Sequence, residues 1–175
     1  TDIDAATLWR ARPDGSGLEH WAMPDRLGSF AFCDVPGRLL LGLAKGVALF
    51  DLDTGTVGPV TPVEPEVAGT RINDGRCDRQ GRFVFGMYQA DEADGAPGSF
   101  YRVGPGLQVE RLPLPPAKVA NCQAFSPDGT RLYVTDSPSR VIRVVEYHAD
   151  GRLGEAREFA RLRREDGFPD GATVD

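Results

Sequence analysis

Histidine and cysteine, on which most transition-metal and thiol chemistry depends, are scarce here, at two and three in 175 residues. Cys33, Cys77 and Cys122 form an odd set without C-x-x-C spacing, which argues against a disulfide framework, and they read as reduced and buried. His20 and His148 have no partner at metal-ligand spacing, so each reads as a surface or packing residue. Positive charge is also short. Against 26 Asp and Glu stand 20 Lys and Arg, a net charge of -6, and no basic run is long enough to follow a phosphate backbone. Nucleic acid is therefore not an expected partner. No apolar stretch approaches membrane-spanning length, so no membrane partner is expected either. The opening Thr1-Asp2-Ile3-Asp4 lacks the basic start and apolar middle of a signal peptide, and the expected compartment is the cytoplasm. Amphipathic helical periodicity is missing throughout.

What is present points to an all-β fold. The 41% hydrophobic content suffices for a core, and the 21 Gly and 14 Pro are spread along the chain, as short strands joined by tight turns require. One pattern repeats. Cys33-Asp34-Val35-Pro36-Gly37-Arg38 precedes the apolar run Leu39 to Leu43, and Cys77-Asp78-Arg79-Gln80-Gly81-Arg82 precedes Phe83 to Phe85. Phe125-Ser126-Pro127-Asp128-Gly129 precedes Arg131-Leu132-Tyr133-Val134-Thr135 in the same way. Each copy is a polar turn with a glycine suited to positive φ, leading into a β-rich run, which is a hairpin signature. Second hairpins are expected between the copies, turning at Pro13-Asp14-Gly15, Asp53-Thr54-Gly55, Gly104-Pro105-Gly106 and Asp150-Gly151.

The turn residues Asp34, Asp78 and Ser126 stand 44 and 48 positions apart, with Asp175 another 49 beyond. Two hairpins per period of this length make the blade of a β-propeller. The chain thus reads as part of one propeller domain over residues 1–175, a little over three blades, incomplete at one or both ends. Trp9, Trp21, Phe30, Phe32, Phe83, Phe85 and Tyr133 are expected as strand-core residues, and Arg161 to Asp166 as a solvated connection.

Five residues before each turn residue lie Ser29, Asn73, Asn121 and Asp170, all polar. The first strand of each blade lines the central channel, so these positions should face one another around the axis. A ring of carboxylate and amide oxygens suits a hard or borderline divalent cation, with Asn121 and Asp170 as the strong donors. The plainer alternative is that each caps its own turn. Arg71 can aim its guanidinium at a carbonyl, ring oxygen or carboxylate, and Asn73 can both donate to and accept from sugar hydroxyls. Asp74 is either a substrate contact or half of an Asp-Gly turn pair.

At these residues the sequence resembles the SMP-30/gluconolactonase, or regucalcin-like, family. Arg71-Ile72-Asn73-Asp74-Gly75 with Asp78, Gly81-Arg82 and Gly86 is similar to its R-x-N-D-G…D-x-x-G-R-x-x-x-G stretch. Asn121, Phe125-Ser126, Tyr133 and Asp136-Ser137 match N-G-x-x-[WF]-S…Y-x-x-D-S, Phe168 to Asp175 matches P-D-G-x-x-x-D, and Thr1 to Asp4 resembles the strand ending the first hairpin. The resemblance implies a six-bladed propeller hydrolysing a sugar lactone, such as gluconolactone or a pentonolactone, to the aldonic acid. It implies one divalent ion (Ca, Zn, Mg, Mn or Fe) held by Asn121, Asp170 and a Glu expected before Thr1. Asp170 would also be the general base, and Arg71, Asn73 and Asp74 substrate contacts. Two departures concern the pocket: the family's G-T-M is Gly86-Met87-Tyr88, and its N-G-L is Asn121-Cys122-Gln123. Asp91 or Glu92 could replace an acidic substrate contact, and Asp136 reads as a backbone brace. Competing readings are a non-catalytic binding propeller and a propeller hydrolase of aryl esters or phosphotriesters.

Overall fold

The computed structural model describes residues 1–89 and 98–175. The chain begins with a hairpin of β1 (Thr7–Arg10) and β2 (Glu19–Ala22). A sheet follows in the order β3 (Leu27–Phe32), β4 (Arg38–Leu43), β5 (Gly46–Asp51), β6 (Thr56–Val57), with β7 (Thr61–Pro62) also paired to β5. The next is β8 (Thr70–Cys77), β9 (Phe83–Gln89), β10 (Phe100–Val103) and β11 (Val109–Arg111). The last is β12 (Ala120–Phe125), β13 (Arg131–Asp136), β14 (Val141–Glu146) and β15 (Arg157–Arg161). All strand pairings are antiparallel and, apart from β7 with β5, join neighbours in sequence, so the architecture is three propeller blades plus one hairpin of another. Among the described residues the helical segments are 3-10 turns of three residues each, and no helix is long and apolar enough to cross a membrane.

Turn chemistry sets the repeat. Gly37, Gly81 and Gly129 hold φ of +78°, +79° and +72° at equivalent places in the three inner hairpins, the left-handed conformation that glycine adopts without strain. The expected second hairpins form at all four places.

The core lies between blades. Leu39, Leu41 and Leu43 of β4 pack with Leu8 and Met23 toward the first hairpin, whereas Leu40 packs with Ile72, Phe83, Phe85 and Met87 toward the following blade. Period-two alternation therefore buries both faces of a middle strand, which explains its unbroken apolar run. Val84 of β9 faces the last blade, packing with Phe100, Ala120, Leu132 and Val134.

Several expectations need correction. Trp9 is 46% and Phe32 80% exposed. Alternation turns Leu8 inward, leaving Trp9 to pack on His20 across the hairpin, the rings tilted with centroids 4.8 Å apart. Phe30 packs on the first cluster, while Phe32, two residues on, sits at the strand end against the edge of Phe30. Only Cys122 is buried; Cys33 and Cys77 are partly exposed at the ends of β3 and β8, beside one apolar groove. Thr1 to Asp4 form no strand: Asp2 bridges Thr7 across a turn over Ile3 to Ala6. Arg161 ends β15, and the largely exposed connection that follows it carries ion pairs from Arg163 to Glu165 and Asp166.

Candidate functional site

The innermost strands β3, β8 and β12 lie side by side, and each carries an irregularity at the same level. The register shifts between Leu27 and Ser29, between Ile72 and Gly75, and between Asn121 and Ala124. A bulge re-aims side chains and stops regular pairing, and three in phase open the sheet edges into a cleft of about 400 Å³. Gly28 makes the approach of β3 to β8 possible, since a Cβ there would lie 2.0 Å from the Ile72 carbonyl oxygen.

The cleft gathers Arg71, Asn73, Asp74, Asn121 and Asp170, with Ile3, Gly28, Tyr88, Val119 and Gly171 completing the walls. Ser29 does not line it. The bulge puts Gly28 there instead and turns the Ser29 hydroxyl to the Gly75 carbonyl at 3.4 Å.

A chain of hydrogen bonds crosses the blades. Arg71 Nη1 donates to Asn73 Oδ1 at 2.7 Å and to the Ile72 carbonyl at 3.1 Å. Asn73 Nδ2 donates to Asn121 Oδ1 at 3.0 Å and to the Ala120 carbonyl at 2.9 Å. Asn121 Nδ2 donates to Ser137 Oγ at 2.9 Å, and that hydroxyl donates to the Pro169 carbonyl at 2.7 Å, next to Asp170. Asn121 is 5% exposed and bonded through both its amide nitrogen and its amide oxygen, which fixes its orientation and leaves Oδ1 one further lone pair. The Asp170 side chain is exposed and makes no hydrogen bond among the described residues.

Electrostatics follow from burial. Asp74 Oδ1 accepts from Gly75 N at 2.9 Å and Oδ2 from Gln123 N at 3.3 Å, so its carboxylate braces the bulge of its own blade against the next. Burial nevertheless raises its pKa, outweighing those bonds. Burial lowers that of Arg71, which stays protonated and lies over the Tyr88 ring with Cζ 4.3 Å from the centroid.

Among the described residues no three His, Cys, Asp or Glu side chains converge as a metal cluster. Oxygen-bearing side chains at the cleft are Asn73, Asp74, Tyr88, Asn121 and Asp170, a set whose chemistry suits a hard divalent cation; Asn121 and Asp170 by themselves would supply two of the six to eight oxygens such an ion takes. Asp136 is a brace, its Oδ1 accepting from Lys118 N and Val119 N, both at 3.0 Å, just before β12. Asp91 and Glu92 lie outside the described residues. Ser137 and Tyr88 were not singled out as site residues by sequence. Ser137 could have been found through the Asp136-Ser137 pair, and Tyr88 through its departure from G-T-M.

Blades that converge polar side chains from their inner strands onto one axial cleft define a β-propeller whose channel mouth is the candidate site. The chain belongs to the family described as the SMP-30/Gluconolactonase/LRE-like region, which residues 1–175 match throughout. It is 51% identical over 175 residues to an L-arabinolactonase of Azospirillum brasilense, covering 99% of this chain and 58% of the relative. It is 33% identical over 179 residues to a 6-deoxy-6-sulfogluconolactonase of Pseudomonas putida, covering 99% of this chain and 59% of the relative. The crystal structure of a calcium-binding protein, regucalcin, from Agrobacterium tumefaciens strain C58 superposes with a TM-score of 0.89 at 26% identity, covering 99% of this chain and 58% of that one. The chain therefore spans less than two thirds of the length of these relatives.

Proposed function

We propose that the protein carrying this chain hydrolyses a sugar lactone to the corresponding aldonic acid. The observation that carries the reading is the hydrogen-bonded succession Arg71, Asn73, Asn121, Ser137 and Pro169, which ties polar groups of two neighbouring blades to the segment after β15 that bears Asp170. Family membership and two lactone-hydrolysing relatives support the same chemistry, and the 51% identity to an L-arabinolactonase favours a five-carbon lactone.

Asn121 and Asp170 would hold a divalent cation, with further oxygens from water, substrate and ligands outside these residues. Bound there, the cation would act as a Lewis acid toward the lactone carbonyl and acidify a neighbouring water. Asp170 accepts the proton of the attacking water and returns it to the ring oxygen as the ester C–O bond breaks, so water and lactone give one hydroxy acid. Asn73, anchored through Nδ2, keeps the remaining lone pair of Oδ1 for a sugar hydroxyl. Arg71 keeps its Nη2 edge for a hydroxyl or the developing oxyanion, and Asp74 holds the wall behind it. The low positive charge elsewhere in the cleft suits release of an anionic product.

The test is Asp170→Ala in the full-length protein, with acid release from L-arabinono-1,4-lactone and glucono-1,5-lactone followed at fixed pH and spontaneous hydrolysis subtracted. The reading expects a loss of about 10²- to 10⁴-fold in kcat. Turnover equal to the parent's would remove Asp170 from the reaction. An aryl ester and a phosphotriester belong in the same panel, and preference for either would overturn the choice of substrate class. Indifference of the protein to added divalent cations and to every substrate would leave a binding propeller.

A further inference from the structure

Tyr88 stands apart in its strand. It is the partly exposed residue near the cleft end of β9, whose other residues are buried. Its backbone is fixed on both sides, paired with Arg71 in β8 and bridged to Val119 at the start of the last blade. Its ring lies under the Arg71 guanidinium at 4.3 Å, and both side chains line the cleft. Arg71 is the first member of the hydrogen-bonded succession that ends at Pro169, and among the described residues its side-chain hydrogen bonds run through Nη1 alone. One bonded nitrogen fixes a point, not a plane; the face of Tyr88 supplies the plane.

We propose that Tyr88 is a positioning residue that sets lactone specificity: its ring holds the Arg71 fork flat, so that the free edge meets the ring substituents of some lactones and not others. The inference rests on the lactone reading above. Its place supports a role in selection rather than in packing alone, since Tyr88 forms part of the cleft wall itself beside Arg71. An aromatic face under a guanidinium is retained by phenylalanine and lost in an aliphatic chain, which makes the claim separable by substitution.

The experiment compares Tyr88→Leu and Tyr88→Phe with the parent in the full-length protein on L-arabinono-1,4-lactone and glucono-1,5-lactone. Tyr88→Leu should raise KM by about 3- to 10-fold on the better substrate, with a smaller change in kcat. It should also shift the ratio of kcat/KM between the two lactones by about threefold or more. Tyr88→Phe should restore most of both losses. In an Arg71→Ala background Tyr88→Leu should add nothing, because the ring would have no fork left to hold. Equal damage from Tyr88→Phe and Tyr88→Leu would assign the effect to the hydroxyl and overturn the proposal. So would an unchanged selectivity ratio in Tyr88→Leu, or full additivity with Arg71→Ala. If Tyr88→Leu fails to fold, as judged by its urea midpoint, Tyr88→Met carries the same readouts. If the parent hydrolyses neither lactone, the functional reading falls. The Tyr88–Arg71 arrangement is then judged by calorimetric titration with L-arabinonate, where an unchanged Kd in Tyr88→Leu would overturn it as well.

Discussion

The junction between the second and third complete blades is pinned by a buried carboxylate, and removing a single hydroxyl from it gives a quantitative test of the fold. Asp78, at the inner turn between β8 and β9, has a side chain 1% exposed. Its Oδ1 accepts from Gln80 N at 2.9 Å and Arg82 N at 2.8 Å, and its Oδ2 from Arg82 Nε and from Tyr147 Oη, the latter at 2.7 Å. Tyr147 belongs to the following blade and is 2% exposed. Tyr147→Phe keeps the ring, with the Arg82 guanidinium 5.5 Å from its centroid, and deletes one donor to a charged acceptor. Such a bond contributes about 1.5–3 kcal/mol, and because Asp78 keeps three donors the loss should be near 2 kcal/mol. Arg102 Nη1 also loses its 3.2 Å contact to Tyr147 Oη but keeps the Gly151 carbonyl at 2.6 Å. With a urea m-value of about 2 kcal/mol/M, the midpoint should fall by about 1 M. The assay is urea unfolding of the full-length protein followed by circular dichroism. A shift smaller than about 0.3 M would refute the accounting, since the buried carboxylate would then not depend on this donor.

The same substitution carries a pH signature. Burial pushes the Asp78 pKa up, but hydrogen bonds from Tyr147 and Arg82 and the Arg82 charge outweigh it and hold it below 3.8. A depressed carboxylate contributes stability that is present above its unfolded pKa and is lost as pH falls through the folded value. Tyr147→Phe should raise the folded value and so begin the acid loss of stability at higher pH than in the parent. Two further changes test the architecture around the cleft. Gly28→Ala places a Cβ 2.0 Å from the Ile72 carbonyl oxygen, so β3 and β8 must separate. A destabilisation of about 1–3 kcal/mol is expected, read as a lowered urea midpoint, and an unshifted midpoint would mean that the approach is not rigid. Asp136→Ala removes the acceptor of Lys118 N and Val119 N. It should cost about 1–2 kcal/mol in the same assay and weaken substrate binding through the Val119 wall, whereas an unchanged protein would show that solvent replaces the brace.

How much of this could be read beforehand depended on whether the determining physics was local. The blade repeat was legible because a turn announces itself through a few adjacent residues. Gly37, Gly81 and Gly129 adopt positive φ where the polar turns called for it. The roles of individual aromatics were less legible. Leu8 and Trp9 are neighbours in sequence, and which of them faced the core depended on a strand face that alternation alone leaves undefined. Ser29 shows the same limit within the site: counting back from the turn assumed an unbroken register, and a bulge moved Gly28 into its place.

By itself, then, the sequence determined the all-β class and the blade period and put Asn73, Asn121 and Asp170 in one phase, because turn geometry, alternation and repetition act over a few residues and simply recur. Only the tertiary structure decided that Asn73 bonds Asn121, that Ser137 links Asn121 to the segment bearing Asp170, and that Tyr88 lies beneath Arg71. Those contacts join groups separated by 16 to 48 positions. They depend on how far each bulge turns its strand and how closely neighbouring blades approach, quantities that no stretch of residues specifies until the blades have packed.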